Sequence, residues 1–213
     1  MSPIDFSIYL ITDRRQTAGR TLPSVVRAAL EGGVKAVQLR EKDLSGRELF
    51  VLAKELRAIT KEFGARLLIN DRPDIALAVA ADGVHIGANS LPVSEVRRLL
   101  GPGYLIGYSA HSAAEALQAA ADGASFVTFS PVYFTPSKAA YGAPVGVEKL
   151  AEAAEKLKIP LFALGGIKLE NISEVMAAGA SGIALISAII AANDPKTASA
   201  NLLKTIEQHA AKP

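Results

Sequence analysis

Residues 177–186 read AAGASGIALI: small residues around a glycine, then an apolar run with no charge in it. The same device recurs as EGGVKAVQL at 31–39, ADGVHIG at 81–87 and ADGASFVTF at 121–129. In each case an amphipathic stretch closes on glycine and a short apolar strand follows. Glycine suits that junction because the residue after a helix often takes a positive φ, which costs a side chain with a Cβ. The strands themselves are nearly unbroken Val, Ile, Leu and Phe. That is the pattern of parallel strands covered on both faces, where an alternating pattern would mark a half-exposed sheet.

Working outward, the same alternation runs through the chain. Strands are predicted at 8–12, 36–40, 66–70, 83–86, 105–108, 126–129, 161–164 and 182–186. Helices are predicted at 22–31, 45–63, 73–80, 93–100, 113–121, 147–157, 172–178 and 195–208. Eight strand–helix units with no linker between them predict one α/β domain over residues 1–213, a (β/α)8 TIM barrel at the small end of its size range. A doubly wound open sheet is the alternative. Against it, the first strand–helix turn, LITDRRQTAG, lacks the G-x-G-x-x-G of a dinucleotide site.

Composition narrows the function. Half of the residues are apolar and 21% are charged, with a formal net charge of +2. There is no Lys/Arg run and few aromatics, so neither a nucleic-acid footprint nor a base-stacking platform is expected. Cysteine is absent, which removes disulfides, thiolate metal sites and a thiol nucleophile and suits a reducing cytoplasm. The start, MSPIDFSIYLITD, carries neither a basic region nor a long apolar core, and no apolar run reaches the roughly 20 residues of a membrane span. A cytoplasmic protein without membrane attachment is expected. Ala-rich stretches on the barrel exterior permit a homodimer without locating it.

In such a barrel the site lies at the C-terminal ends of the strands. Those ends read Thr12-Asp13, Gln38–Lys42, Asn70-Asp71-Arg72, Gly87–Ser90, Ser109–His111, Ser130–Lys138, Gly165-Gly166 and Ser187. Strand alternation puts Gln38, Arg40 and Lys42 on one face and Glu41 on the other. Two cations facing the barrel interior need an anion, supplied by a substrate or by a salt bridge such as one to Asp71. Asp71 is also the best lone candidate for Mg2+, which uses few protein carboxylates and completes its shell with water and phosphate. Gly165-Gly166 and the helix start near Ser187 offer backbone amides where this fold usually holds phosphate; the lesser alternative is that the glycines only make a tight turn. Of the histidines, His85 reads as a hydrogen-bonded core residue, His111 as functional or capping, and His209 as solvated. The residues thus argue for a barrel holding a small phosphorylated molecule with Mg2+.

Seven segments in order, YLITD, VQLREKD, LLINDRPDIALAVAADGVHIG, IGYSAHS, PVYFTPSK, ALGGI and GIALISAI, resemble the thiamine-phosphate synthase family across nearly the whole chain. The resemblance implies a Mg2+-dependent transferase that joins hydroxymethylpyrimidine diphosphate to hydroxyethylthiazole phosphate and releases pyrophosphate. It implies a dissociative path through a pyrimidine methylene cation. Carried over by motif, Gln38, Arg40, Lys42, Asn70, Ser109 and Lys138 contact the pyrimidine diphosphate. Lys42, Ser109 and Lys138 act in catalysis, and Asp71 binds the metal. Thr135, Pro136, Ser137, Gly166, Ile186 and Ser187 match the thiazole phosphate site.

One position departs. After GVHIG the family usually reads QED, whose Asp is the second metal ligand; here ANS places Ser90 there. Related thiazole tautomerases share the barrel and often lack the metal carboxylates. Their acid/base histidine follows the sixth strand, where this chain has Ser130-Pro131. Retained NDR and TPSK favour the synthase. A tautomerase and a non-catalytic thiamine-phosphate-binding protein are the alternatives.

Overall fold

The computed structural model describes residues 4–135 and 144–210. Eight parallel strands, β1 (Ile8–Ile11), β2 (Ala36–Leu39), β3 (Arg66–Asn70), β4 (Gly83–Ile86), β5 (Leu105–Ala110), β6 (Phe126–Phe129), β7 (Leu161–Leu164) and β8 (Gly182–Leu185), follow one another around a closed barrel. Closure is made by β8 pairing with β1, Ile8 opposite Ile183 and Leu10 opposite Leu185. An open sheet is thereby excluded. Helices α1 (Leu22–Glu31), α2 (Gly46–Glu62), α3 (Pro73–Ala78), α4 (Val93–Leu100), α5 (Ala113–Ala121), α6 (Gly146–Lys156) and α7 (Ile172–Ala177) link successive strands. The short α8 (Ser187–Ile190) and the long α9 (Pro195–Ala210) complete the chain.

Local chemistry sets the helix starts. Thr21 caps α1 by accepting from Ser24 N, with Pro23 in the first turn. Ser45 and Glu48 make a reciprocal capping box on α2, which satisfies two otherwise orphaned amides. Helix ends follow the repeat at Gly33, Gly123 and Gly179, all with positive φ. ADGVHIG is the exception. There the left-handed residue is Ala80, and Gly83 lies inside β4, where a Cβ would overlap the Leu105 carbonyl oxygen.

Three strands end one residue earlier than the sequence predicts, and β5 runs two residues further. β5 extends because Ser109 and Ala110 pair with Thr128 and Phe129. β2 stops at Leu39, and the next amide, Arg40 N, turns to Thr12 Oγ1 at 2.9 Å. Alternation therefore does not extend to Lys42, which is exposed beyond the strand rather than facing the barrel interior.

Strand side chains separate into two apolar layers. Ile8, Leu10, Val37, Leu67, Ile69, Val84, Ile106, Val127 and Ile183 pack outward against the helices. Phe6, Tyr9, Ile11, Leu68, Leu105, Phe126, Phe162 and Ala184 fill the barrel interior. Phe126 stands edge-on to Phe6, Tyr9 and Phe162, with centroids 5.7, 5.1 and 5.5 Å away. Each fully buried ring of this kind contributes about 1.5–3 kcal/mol. The rings fit because neighbouring strands present glycine: a Cβ at Gly107 would sit 2.6 Å from Phe126 Cζ, and one at Gly182 would sit 2.6 Å from Phe162 Cε1. This plug fills the lower barrel and confines open polar chemistry to the upper rim.

Candidate active site

Just above the plug the interior turns polar. Gln38, His85 and Thr128 are buried and Ser109 is half-buried, all on the inward phase of their strands. Gln38 Nε2 donates to Tyr9 Oη at 3.2 Å, and Tyr9 Oη lies 3.3 Å from His85 Nδ1. His85 Nε2 is 2.9 Å from Ser109 Oγ and 3.5 Å from Thr128 Oγ1. Burial, with the nearby Arg40 charge, pushes the His85 pKa down to about 3, so the ring is neutral at ordinary pH. Burial likewise pushes the Tyr9 pKa up, so its hydroxyl keeps its proton. His85 is the hydrogen-bonded core histidine that its position in β4 implies.

On the β1–β2 side of the rim, Glu41 is spent inside the protein. Its buried carboxylate accepts from Thr12 Oγ1 at 2.7 Å, from Arg14 N at 3.1 and 3.2 Å, and from the Arg14 guanidinium at 3.2 Å. Arg14 and Arg15 also hold Asp43, at 2.5 and 2.7 Å, and keep its carboxyl well below the usual range. Arg40 and Lys42 are left without a carboxylate partner among the described residues, so the alternative of a salt bridge to Asp71 is not realised. Arg40 is half-buried at the rim, and a cation in that position calls for an anion.

Asp71 lies at the β3 end with φ +56°. Asn70 Nδ2 donates to its Oδ2 at 2.8 Å, and the Ser90 hydroxyl donates to its Oδ1 through a short bond. Gly87 N in turn donates to Ser90 Oγ at 2.8 Å. Ser90 therefore sits beside the predicted metal carboxylate, as its place in the sequence implies. Among the described residues no cluster of three or more His, Cys, Asp or Glu could hold a metal by itself. A site built on Asp71 must take its remaining ligands from water or substrate.

Past β6, residues 131–134 lie against the end of β7: Val132 N donates to Leu164 O at 2.9 Å and Tyr133 N to Gly165 O at 3.0 Å. The Gly165-Gly166 pair makes that approach feasible. Both have positive φ, and a Cβ on Gly166 would lie 2.7 Å from Tyr133 Cβ and 2.8 Å from Phe134 O. The turn explanation of these glycines thus has a packing basis. Ser187 opens α8, and its cap residue Ile186 provides no side-chain bond to the first amides. His111 Nδ1 donates to Ser130 O at 2.7 Å, tying the β5 and β6 ends together. Pro136, Ser137 and Lys138 lie outside the described residues, and Thr135 stands at their edge.

Tyr9 is a structural support of this rim that motif reading passed over, while Thr12 and Glu41 were placed at the strand ends without the bond that joins them. Period-two alternation could have found Tyr9, which shares the inward face with Gln38, His85 and Ser109.

The fold and rim define a TIM-barrel enzyme site with cations that no described carboxylate pairs at the end of β2, a carboxylate at the neighbouring end of β3, and a neutral polar floor. Residues 8–189 match the family model described as thiamine monophosphate synthase. A relative from Geobacter sulfurreducens is 59% identical over 203 residues, 95% of each chain. The thiamine-phosphate synthase of Methanoculleus marisnigri is 45% identical over 92% of this chain and 93% of its own. Among solved structures, thiamine phosphate pyrophosphorylase from Pyrococcus furiosus superposes with a TM-score of 0.88 at 38% identity, covering 96% of both chains. The chain belongs to the thiamine-phosphate synthase family, transferases of thiamine biosynthesis. The comparisons give no support to the tautomerase or the non-catalytic alternative.

Proposed function

We propose that the chain condenses hydroxymethylpyrimidine diphosphate with hydroxyethylthiazole phosphate and uses Mg2+, which Asp71 would hold. The observation that carries this reading is the pair of rim cations, Arg40 and Lys42, left without carboxylates among the described residues while Glu41 beside them is consumed by Thr12 and Arg14. Such cations favour the diphosphate both when bound and as it leaves. In the reaction the methylene C–O bond breaks with its electron pair on the departing pyrophosphate. The thiazole nitrogen lone pair then forms the C–N bond. No protein base is required, in keeping with a floor of neutral groups.

The donor set at Asp71 fits Mg2+ held jointly with substrate: each carboxylate oxygen accepts one bond from a neutral donor and keeps lone-pair capacity. When bound, the ion would neutralise charge developing on the leaving diphosphate. Asn70 and Ser90 orient the carboxylate. Gln38 and Ser109 meet the pyrimidine portion at the floor. The Gly166 and Ser187 ends, with Ile186 and Thr135, line the thiazole phosphate side, and Pro136, Ser137 and Lys138 complete the reading. No helix among the described residues is long and apolar enough to cross a membrane, and the reading places the enzyme in the cytoplasm.

Purified chain given both substrates should make thiamine phosphate, EDTA should stop it, and excess Mg2+ should restore it. No product with excess Mg2+ overturns the synthase reading, and tautomerisation of the carboxylated thiazole phosphate would replace it with the isomerase. Product formation indifferent to EDTA would remove only the metal.

A further inference from the structure

The polar floor has a direction. Gln38 Nε2 carries only hydrogens, so at 3.2 Å it donates and Tyr9 Oη accepts. The Tyr9 hydroxyl hydrogen is then available to His85 Nδ1, at 3.3 Å. A neutral imidazole that accepts at Nδ1 carries its proton on Nε2. Nε2–H donates to Ser109 Oγ at 2.9 Å, with Thr128 Oγ1 a longer second acceptor at 3.5 Å. Ser109 Oγ, having accepted from below, is left with its own hydrogen to give to the barrel mouth.

We propose that Tyr9 and His85 are positioning residues: the chain Gln38–Tyr9–His85–Ser109 fixes the Ser109 hydroxyl as a hydrogen-bond donor to an acceptor atom of the pyrimidine diphosphate. This rests on the synthase reading and adds the residues that aim its serine. A lone serine hydroxyl rotates among several partners, whereas one locked by an imidazole underneath meets its ligand already oriented. Packing fixes the imidazole. Its ring lies 5.5 Å from Tyr9 and 5.9 Å from Phe126, centroid to centroid. On the β5 side Gly107 leaves the space it needs, since a Cβ there would overlap Nδ1. Burial holds the ring neutral, without which Nδ1 could not accept. The relay makes no covalent bond and moves no proton in turnover.

Two measurements test it. Long-range 1H–15N correlation spectra of the unaltered, 15N-labelled chain read the His85 tautomer without substrate; the signal is assigned by its loss in His85→Gln. The Nε2–H tautomer is expected. The Nδ1–H tautomer or an imidazolium at neutral pH reverses the chain and overturns the inference, whether or not any variant folds. In the second measurement, Tyr9→Phe and His85→Leu should each weaken calorimetric binding of the pyrimidine diphosphate by about tenfold, the scale of one well-placed hydrogen bond. The KM for the thiazole phosphate should stay unchanged. His85→Gln, whose amide can replace Nε2–H, should recover most of the loss. Unchanged pyrimidine binding in both Tyr9→Phe and His85→Leu overturns the inference. Absence of turnover in the unaltered chain would count against the synthase reading alone, because tautomer and binding are read without turnover.

Discussion

Ser90 is the side chain on which the metal proposal turns. Its hydroxyl donates to Asp71 and its oxygen accepts from Gly87 N, so it is held as a neutral neighbour of a single carboxylate. Ser90→Asp would put a second carboxylate against Asp71. Without a cation the two repel; a bound Mg2+ would relieve that repulsion. The variant is expected to bind Mg2+ about tenfold more tightly in calorimetric titration, equivalent to roughly 1.4 kcal/mol, and to melt lower in EDTA. Unchanged Mg2+ affinity would place the ion elsewhere. The sequence made this contrast legible, because ANS stands where QED is usual and the contact with Asp71 follows. It put Glu41 on the face away from Arg40 but did not show what holds it there. That depends on Thr12 and Arg14, 29 and 27 positions away along the chain, and no local pattern encodes such a partner.

At the scale of elements, the end of β7 and the segment after β6 act as one unit. Gly166, at φ +67°, lets Tyr133 and Phe134 lie directly against it, and Tyr133 Oη donates to Glu174 Oε2 at 2.5 Å to fasten the segment to α7. A methyl at Gly166 must displace backbone rather than a flexible side-chain tip. Gly166→Ala is therefore expected to cost about 1–3 kcal/mol of stability in denaturant unfolding, and to raise the KM for the thiazole phosphate more than that for the pyrimidine diphosphate. Equal effects on the two KM values would mean that this unit does not serve the thiazole side. Here the glycine pair was plain in the sequence, but what approaches it was not. The helix and strand bounds were legible to within two residues, since capping, glycine ends and apolar runs are local properties. The exceptions were set by the neighbouring strand: β2 ends where Arg40 N meets Thr12, and β5 continues because β6 offers it a ladder.

For the whole molecule, the buried floor ties stability to pH. The unfolded His85 protonates near pH 6.5, while the folded ring resists down to about 3. Between those values the unfolded chain holds the extra proton, so stability falls as pH falls and is fully restored above the upper value. The slope approaches ~1.4 kcal/mol per pH unit. Asp43, Asp74, Asp194, Glu48 and Glu62, whose carboxyl pKa values lie below the ordinary range, lose their contributions mainly below about pH 5, so histidine dominates the interval from about pH 5 to 6. Denaturant unfolding there should show a shallower pH dependence in His85→Gln than in the unaltered chain. Identical slopes would mean that the fold does not keep this ring neutral. The sequence by itself determined the (β/α)8 order, the single barrel, the strand ends at which polar residues collect and the family, because periodicity, glycine punctuation and motif order are written along the chain. Only the tertiary structure decided which rim charges remain unpaired, that Ser90 grips Asp71, and that Tyr9 and His85 stand under Ser109. Those facts depend on closing eight strands into one barrel, which brings Tyr9 and His85, 76 positions apart, within hydrogen-bond reach.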